Sequence, residues 1–493
     1  MNPLGVQDSP KPHASEYRDL STIDRSVRIP VLIFFASATL WLVVASVFWL
    51  LTSAQMCAPN AWWTFPGVSW LTFGRSYSVF LNSFVYGWAS SAGIGVGIWL
   101  VSRLCGVAAR GLSLLISAAV LWNIGLGLGL LSLLAGFSNG KELLEYPSYI
   151  GFILFLALAL VSLWVILTLQ NRRPGPLFIS QWYLVTAFLS FPWAYATANL
   201  LLSAGAAASG VSQAAIQWWY IGSLIGLWFT PICLGLAFYL VPKSVGCPIY
   251  SYNLALLGFW ALLLLAGWTG MSHLIGGPLP AWMVTISIVA NVLMLVPAIA
   301  VALNFHRTID GKFEVLSWDL ALRFIVIGTM AYTFYSVEGA MISTRTLSHI
   351  VEFTLVTVGH TQLGLFGFIS MVLFGGLYFI IPRLLDREWL FIRLMKSHFW
   401  LSFVGFGLLL ADLTVGGILQ GFSLQDARIP MDAVNDILSP FLLGQSIAVF
   451  LIVSANLGFA AAVALIFLAP TRMHKRGEVG EIISETTLEV TVD

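Results

Sequence analysis

Five ionisable side chains interrupt otherwise apolar stretches of this sequence, and each has a type that can take part in proton or metal chemistry. They are His273, Glu338, Glu352, His360 and Asp412. A charged side chain at the centre of a bilayer costs about 3 kcal/mol or more, and ionisable residues in membrane spans usually mark function. These residues are therefore the first candidates for a site.

The elements that must position them are membrane helices. The chain has 493 residues, of which 59% are hydrophobic and 9% charged. Soluble proteins carry about 25% charged residues, so the composition excludes a water-soluble globule. The net charge of +1 gives no indication of a nucleic-acid partner. Its 4 cysteines form no CxxC motif, which argues against a disulfide framework or a zinc site.

Twelve apolar runs are long enough to cross a bilayer, which takes about 20 residues per helix. The connections are mostly short, so we expect one membrane domain at 29–469, between an N-terminal tail (1–28) and a C-terminal tail (470–493). The predicted spans are 29–52, 78–102, 112–136, 148–170, 178–204, 215–241, 252–275, 282–305, 320–342, 352–381, 399–420 and 442–469.

The distribution of basic residues predicts the orientation. Only Arg75, Lys141, Arg345 and Arg428 fall in the connections on one side, and the remaining 19 of the 23 Lys and Arg residues fall on the other side. Basic residues favour the cytoplasmic side. Both termini are therefore expected in the cytoplasm, and the protein in a bacterial-type inner membrane.

In this topology His273, Glu338 and His360 lie in the outer half of the membrane on three helices that could converge. His360 lies about 11 residues, or ~16 Å, from the outer loop. Simpler interpretations remain for each residue: His273 is close to a Gly-Gly-Pro loop and suits the membrane interface, and Glu338 could hydrogen-bond a neighbouring backbone or histidine. Asp412 suits packing or a proton path better than metal binding. The histidines predicted to be solvated are His13, His306, His398 and His474.

A series of short segments closely resembles subunit I of the cbb3-type cytochrome c oxidases, in the heme–copper oxidase superfamily. The resemblance runs from about residue 74 to residue 390 and keeps the order and spacing, apart from a few extra residues between His349 and His360. It implies an all-α integral membrane protein with the twelve-helix bundle of that subunit. The segments are QWWY (217–220), VPK (241–243), PIYSY (248–252), FWAL (259–262), VEGAM (337–341), LSH (347–349), GHTQ (359–362) and YFIIPRL (378–384).

The resemblance also implies a metal set that this chain only partly matches. The family uses two histidines for a low-spin heme b, one for a high-spin heme and three for copper, beside a tyrosine. His273 is the one copper-type histidine that remains. The changed positions are Phe80 and Gln362 at the low-spin heme, Gly222 and Ser272 at the copper, and Ala266 at the tyrosine.

One half of a single heme site is retained. By the same resemblance, His360 matches the axial ligand of the high-spin heme, Glu338 matches a glutamate near its proximal face, and His349 matches a residue near the heme propionates. A metal-ligating histidine usually donates its other ring N–H to a carboxylate or carbonyl, for which Glu338 is the natural candidate. We expect at most one heme b and no firmly held copper, because copper sites of this type need several imidazoles.

Three functions remain open at this point. The first is a catalytically degenerate relative of the oxidase subunit, acting in a respiratory electron-transfer complex. The second is an active terminal oxidase or nitric oxide reductase with an altered metal set, in which Glu338 and His273 help to hold a non-heme iron. The third is a cofactor-free structural or transport subunit.

The expected partners are the lipid bilayer and membrane-anchored c-type cytochromes, which accompany the family's subunit I. The chain contains no CxxCH motif for covalent heme attachment, so a partner would have to deliver the electrons. The outer loops 53–77 and 421–441 are candidate docking surfaces.

Overall fold

The computed structural model describes residues 14–203 and 208–469, and every regular element in these ranges is helical. Twelve helices are long and apolar enough to cross a membrane. This confirms the predicted all-α fold with twelve spans. His13, His474 and the whole predicted C-terminal tail lie outside the described residues.

The spans are labelled α1 to α12 in chain order, and some of them contain turns that are not α-helical. They are α1 (Ala14–Cys57), α2 (Phe73–Cys105), α3 (Leu112–Ala135), α4 (Ser148–Gln170), α5 (Ile179–Ser203), α6 (Val211–Val245), α7 (Tyr252–Leu274), α8 (Ala281–Ile309), α9 (Leu320–Ile342), α10 (Leu355–Leu385), α11 (Ile392–Gln425) and α12 (Met431–Ile466).

An even number of crossings places both ends of the described chain on the same side of the membrane. This side is called the near side below, and the opposite side is the far side. The first helix begins at Ala14, within the segment 1–28 that the sequence predicts to be a tail. The assignment of the near side to the cytoplasm stays a prediction from the basic residues.

Three helices, α2, α6 and α10, form the centre of the bundle. Their most apolar stretches are 89–100% buried, whereas the other spans expose a large share of their surface. Glycines allow this close packing. A Cβ built on Gly97 of α2 would lie 2.3 Å from the Phe188 ring, and one on Gly95 would lie 2.6 Å from the Phe35 ring.

The central helices each contain a π-helical segment: Ser83–Ser90 in α2, Leu224–Phe229 in α6 and Leu363–Ser370 in α10. In addition, α7 ends in a 3-10 helix, Ala266–Leu274. Irregular backbone at membrane depth is tolerated only where protein or a water-filled cavity surrounds it. π-Helical turns inside α-helices often occur at functional sites.

The prediction that His398 is solvated is wrong. Helix α11 begins at Ile392, before the predicted start at 399, so His398 lies well inside the bundle. Its side chain is buried between the Phe374 and Phe459 rings, and its Nδ1 is 2.9 Å from the Tyr378 hydroxyl. In contrast, His306 is exposed, as predicted.

The far-side loop between α3 and α4 folds back against the bundle and buries Glu145. The Asn82 amide Nδ2 donates a 2.8 Å hydrogen bond to Glu145 Oε2. Next to it, the Tyr86 hydroxyl donates to the Leu143 carbonyl oxygen and lies 2.7 Å from the Tyr220 hydroxyl. Burial raises the pKa of Glu145 to about 7, although the Asn82 hydrogen bond acts in the opposite direction.

This carboxyl makes stability depend on pH. The folded state retains a proton that the unfolded state releases, so stability falls as the pH rises from about 4.5 through about 7. Glutamine cannot release a proton, so Glu145→Gln removes this loss of stability at high pH. We expect the change in the free energy of unfolding caused by the substitution to be about 1–3 kcal/mol more favourable at pH 8 than at pH 5. Thermal unfolding in detergent at both pH values measures the difference. The exposed Glu314→Gln is the matched control, and an equal effect of Glu145→Gln at both pH values would contradict the prediction.

Candidate functional site

A cavity lies between α6, α7, α8, α9 and α10 and contains most of the residues that the sequence predicts to be functional. Its volume open to water is about 90 Å³. His360 lies on one wall, and Gly222 and Ala266 lie on another. The side chains of His273 and Glu352 also line the cavity and are partly exposed, and this part of the lining is called the rim. Thus residues from distant parts of the chain do converge as expected.

The first wall is built around a hydrogen bond between His360 and Glu338. The His360 Nδ1 is 3.1 Å from Glu338 Oε2, and the imidazole stacks on the Tyr335 ring at 4.4 Å and 10°. Tyr335, Glu338 and Gly339 are spaced by three and four residues, so they share one face of α9. The other imidazole nitrogen, Nε2, has no hydrogen-bond partner among the described residues, and His360 lines the cavity.

Gly339 leaves space beside this ring. A Cβ built on Gly339 would lie 3.2 Å from His360 Cε1 and 3.5 Å from Nε2. The first distance is tight and the second is an ordinary van der Waals contact, so a larger residue would crowd this edge of the ring. Glu338 thus fixes the buried His360 imidazole through Nδ1, and the absence of a side chain at Gly339 leaves space beside Nε2.

His273 occupies the rim rather than the opposite wall. Its ring stacks on Trp218 at 4.1 Å and 17°, and its Nδ1 is 3.4 Å from Glu352 Oε1. Both side chains of this pair are partly exposed. His273 is therefore held by the indole and the carboxylate at the far-side entrance.

Ser272 is fixed in a closed polar network with α8. The Ser272 backbone N–H donates to Ser287 Oγ at 2.8 Å. The Asn291 amide Nδ2 donates to Ser272 Oγ at 3.0 Å and to the Thr269 carbonyl at 2.9 Å. These polar groups satisfy one another's hydrogen bonds, so the Ser272 hydroxyl is already occupied and is not free to bind a metal ion.

Helix α6 packs directly on the 3-10 segment of α7 at Gly222. A Cβ built there would lie 3.0 Å from Thr269 Oγ1, and one on Gly270 would lie 2.0 Å from the Trp218 carbonyl oxygen. One turn further along, a Cβ on Gly226 would lie 2.6 Å from the Ala266 Cβ. The two helices are thus close together at Gly222 and Ala266, where the resemblance would place a histidine and a tyrosine.

A second region of changed positions is filled by aromatic rings. Phe80 is buried and stacks on Trp49 at 5.1 Å and 15°. Phe84 and Phe366 pack on the same Trp49 ring at 5.9 and 6.0 Å. Gln362 is also buried. An amide and a phenyl ring are poor partners for heme iron, which proteins hold through His, Cys, Met or Tyr.

Two further candidates lie outside the cavity. His349 is exposed on the far side, where its Nδ1 is 3.1 Å from the Gln425 amide nitrogen. Asp412 faces α12, and a Cβ built on Gly444 would lie 2.2 Å from its Oδ1. Neither lines the cavity with His360.

The irregular turns of the bundle coincide with the changed positions. The π-helical segments begin within three residues after Phe80, Gly222 and Gln362, and Ser272 lies in the 3-10 segment. Each of these turns alters the direction in which the following side chains point.

Sequence reasoning missed Tyr335, Trp218, Asn291 and Trp49. The spacing of three residues between Tyr335 and Glu338 could have indicated that both face the same neighbour. Trp218 lies in the QWWY segment of the resemblance, but nothing there indicates its contact with His273, and no local pattern marks Asn291 or Trp49. Within 14–203 and 208–469, no group of three or more His, Cys, Asp or Glu side chains converges to hold a metal ion.

The chemistry of the donors at His360 fits an axially bound heme, because a buried imidazole is oriented through Nδ1 and faces a cavity. The open volume of about 90 Å³ is smaller than the roughly 300–1,000 Å³ of cofactor pockets, so lining side chains must move apart to admit a porphyrin. The positions that the resemblance assigns to copper and to the low-spin heme do not fit those metals. Their residues offer no comparable donor set.

Comparisons with known proteins give a consistent result. Residues 29–459 match the family described as cytochrome c and quinol oxidase polypeptide I. The chain is 28% identical to the cbb3-type cytochrome c oxidase subunit CcoN1 of Stutzerimonas stutzeri over 394 residues, which is 79% of this chain and 82% of that protein. It is also 28% identical to cytochrome c oxidase subunit 1 of Rhodobacter capsulatus over 446 residues, covering 88% and 81% of the two chains.

A solved structure of a heme–copper terminal oxidase dimer has the same fold. The superposition has a TM-score of 0.78 and covers 91% of this chain and 85% of that chain, at 13% sequence identity. At this identity the likeness concerns the fold alone.

The contact between α6 and α7 predicts different effects for two neighbouring glycines. We expect Gly270→Ala to lower the free energy of unfolding by about 1–3 kcal/mol or more, because its Cβ meets a backbone carbonyl that cannot rotate away. Gly267→Ala, in the same segment, has no heavy atom within 4 Å of its Cβ and is the matched control. Thermal unfolding in detergent measures both, and equal stabilities of the two variants would contradict the described contact.

Proposed function

Because the chain belongs to the heme–copper oxidase subunit I family, we propose that it is a catalytically degenerate membrane component of a respiratory electron-transfer complex, with at most one high-spin heme b. The family and the twelve apolar spans place the protein in the bacterial inner membrane. The hydrogen bond between His360 and Glu338 beside the cavity carries the proposal.

The chain's own residues would perform three tasks at this heme. Glu338 holds the N–H at His360 Nδ1, which fixes the ring and makes Nε2 a stronger donor. Tyr335 supports one face of the imidazole, and Gly339 keeps the space at its edge free. When bound through His360, a heme would supply an iron that can take up a small gas or transfer one electron.

The opposite wall supports the loss of copper. The family's chemistry combines a heme with a copper held by several imidazoles, but here the wall consists of Gly222 against Thr269 and of Ser272 bound to Asn291. The remaining histidine, His273, pairs with Glu352 at the rim. A single imidazole does not hold copper firmly, so ordinary oxygen reduction is not the function we propose.

The route for electrons also differs from that of the family. The resemblance assigns the low-spin heme ligands to Phe80 and Gln362, which are buried, and Phe80 stacks on Trp49. Electrons would therefore come from a partner directly. The relatives are subunits of cytochrome c oxidases by name, and we propose membrane-anchored c-type cytochromes as partners of this chain as well.

One observation favours a second candidate, an oxidase or nitric oxide reductase with an altered metal set. His273 and Glu352 form an imidazole–carboxylate pair that lines the same cavity as His360. Glu338 is engaged by His360, so Glu352 is the carboxylate nearest to His273 for a non-heme iron. A third candidate, a cofactor-free structural or transport subunit, keeps the His360–Glu338 pair as a purely structural contact.

Optical and metal analysis of the purified chain in its native complex separates the three candidates. We expect about one heme b per chain, a high-spin spectrum and no stoichiometric copper. His360→Gly should lose the heme, and added imidazole should restore it by filling the vacated ligand position. The exposed His306→Ala is the control that keeps the heme. Two hemes per chain would contradict the proposal, a colourless wild-type protein would favour the third candidate, and steady consumption of oxygen or nitric oxide with bound iron would favour the second.

Glu338 gives a test of positioning that compares heme-bound variants. We expect Glu338→Gln to retain the heme but to raise its reduction potential, because an amide accepts the imidazole N–H more weakly and lowers the electron density at Nε2. Glu338→Asp keeps a carboxylate, so its reduction potential should lie between those of Glu338→Gln and the wild type. A redox titration of the two variants measures this, and an unchanged potential would show that Glu338 does not act through His360.

A further inference from the structure

The connection between α1 and α2 on the far side presents an unusual set of aromatic side chains to its surroundings. Residues 58–73, named the aromatic loop here, contain two short 3-10 turns, Trp62–Thr64 and Ser69–Leu71. Trp62 is 79% exposed, and Trp63 and Trp70 are each about half exposed. Phe65 and Phe73 are exposed as well.

Hydrogen bonds fix the conformation of the loop, so the exposure of these rings is a property of its fold. The Gln55 amide Nε2 at the end of α1 donates to the carbonyl oxygens of Thr64 at 3.2 Å and Leu71 at 2.7 Å. The Thr64 hydroxyl donates to the Ala61 carbonyl at 2.6 Å. Thr64 and Leu71 are buried, and this fixes both turns with their indoles on the outside.

Charge distinguishes this loop from other far-side loops. Residues 29–74 contain no Asp, Glu, Lys, Arg or His. By comparison, the α3–α4 loop carries Lys141 and Glu145, and Asp426 and Arg428 form an ion pair at 2.7 Å in the α11–α12 loop. A protein that arrives through water is steered by complementary charges, which the aromatic loop does not offer.

The helix that leads into the loop already faces lipid. Ile33, Leu40 and Val47 of α1 are exposed and lie about seven residues apart, so they form one apolar stripe. The loop follows at the far-side end of this helix. Tryptophan is enriched at membrane–water interfaces, since its apolar ring enters the lipid while its N–H stays near polar groups.

We propose that the aromatic loop lies in the far leaflet of the bilayer at the boundary of headgroups and acyl chains, where Trp62, Trp63 and Trp70 anchor the connection between α1 and α2. Its ligand is thus the phospholipid surface rather than a water-borne cytochrome. The sequence-based expectation is different, because it makes the loop 53–77 a candidate docking surface for a partner such as a membrane-anchored c-type cytochrome.

A nitroxide label measures the depth directly. The full chain is placed in lipid nanodiscs after Cys57→Ser and Cys247→Ser remove the two partly exposed thiols, and it is labelled at Ser69→Cys. Arg428→Cys in the charged α11–α12 loop is the matched control. We expect the label at 69 to be several-fold more accessible to oxygen, and several-fold less accessible to a water-soluble nickel chelate, than the label at 428.

Two results of this measurement overturn the proposal. Equal access of the nickel chelate to both labels would place the loop in water. Shielding of the label at 69 from both oxygen and nickel in the intact membrane complex would show that another protein covers the loop.

A second measurement needs no cysteine variants. The chain has 20 tryptophans, so the fluorescence difference between wild type and a W62F/W63F/W70F variant isolates the three indoles of the loop. We expect lipids brominated near the headgroup to quench this difference signal more strongly than lipids brominated near the chain ends. A difference signal that neither lipid quenches would overturn the proposal.

Discussion

The absence of water from the bilayer interior is the constraint on which this structure depends. Each backbone N–H and carbonyl group must find a partner within the protein, which leaves helices as the building elements. The same constraint explains where the backbone departs from the α-helix. The π-helical segments at 83–90, 224–229 and 363–370 lie in the three central spans, where neighbouring helices surround them.

The positions that by the resemblance replace the family's metal ligands are filled in three different ways. At Phe80 an aromatic stack with Trp49 takes up the volume. At Gly222 the two helices approach so closely that even a Cβ would lie 3.0 Å from Thr269 Oγ1 and 3.2 Å from the Gly270 backbone nitrogen. At Ser272 hydrogen bonds from Asn291 and to Ser287 satisfy the polar groups. In contrast, His360 is hydrogen-bonded to a carboxylate and lines a cavity. One side of the site is thus closed by packing and hydrogen bonds, whereas the side with His360 remains open.

Hydropathy alone predicted the twelve spans, because each must be about 20 apolar residues long whatever its neighbours are. The contact between His360 and Glu338 was also foreseen, as an extension of the resemblance. The burial of His398 was not, because a helix start can be misplaced by several residues when apolar and polar side chains alternate near the membrane edge. Contacts such as Trp49 with Phe80 depend on how distant helices pack, and no spacing in the sequence records them.

The approach of Gly270 to the Trp218 carbonyl has an evolutionary consequence. A single mutation that returned a histidine to position 222 would first collide with Thr269 and the neighbouring backbone, and so would lose stability before it gained a metal. A histidine at 272 alone would leave Asn291 without one of its acceptors. Histidines at 222 and 272 would therefore be tolerated only together with substitutions at their neighbours, so the packing of α6, α7 and α8 opposes a stepwise gain of a copper site here.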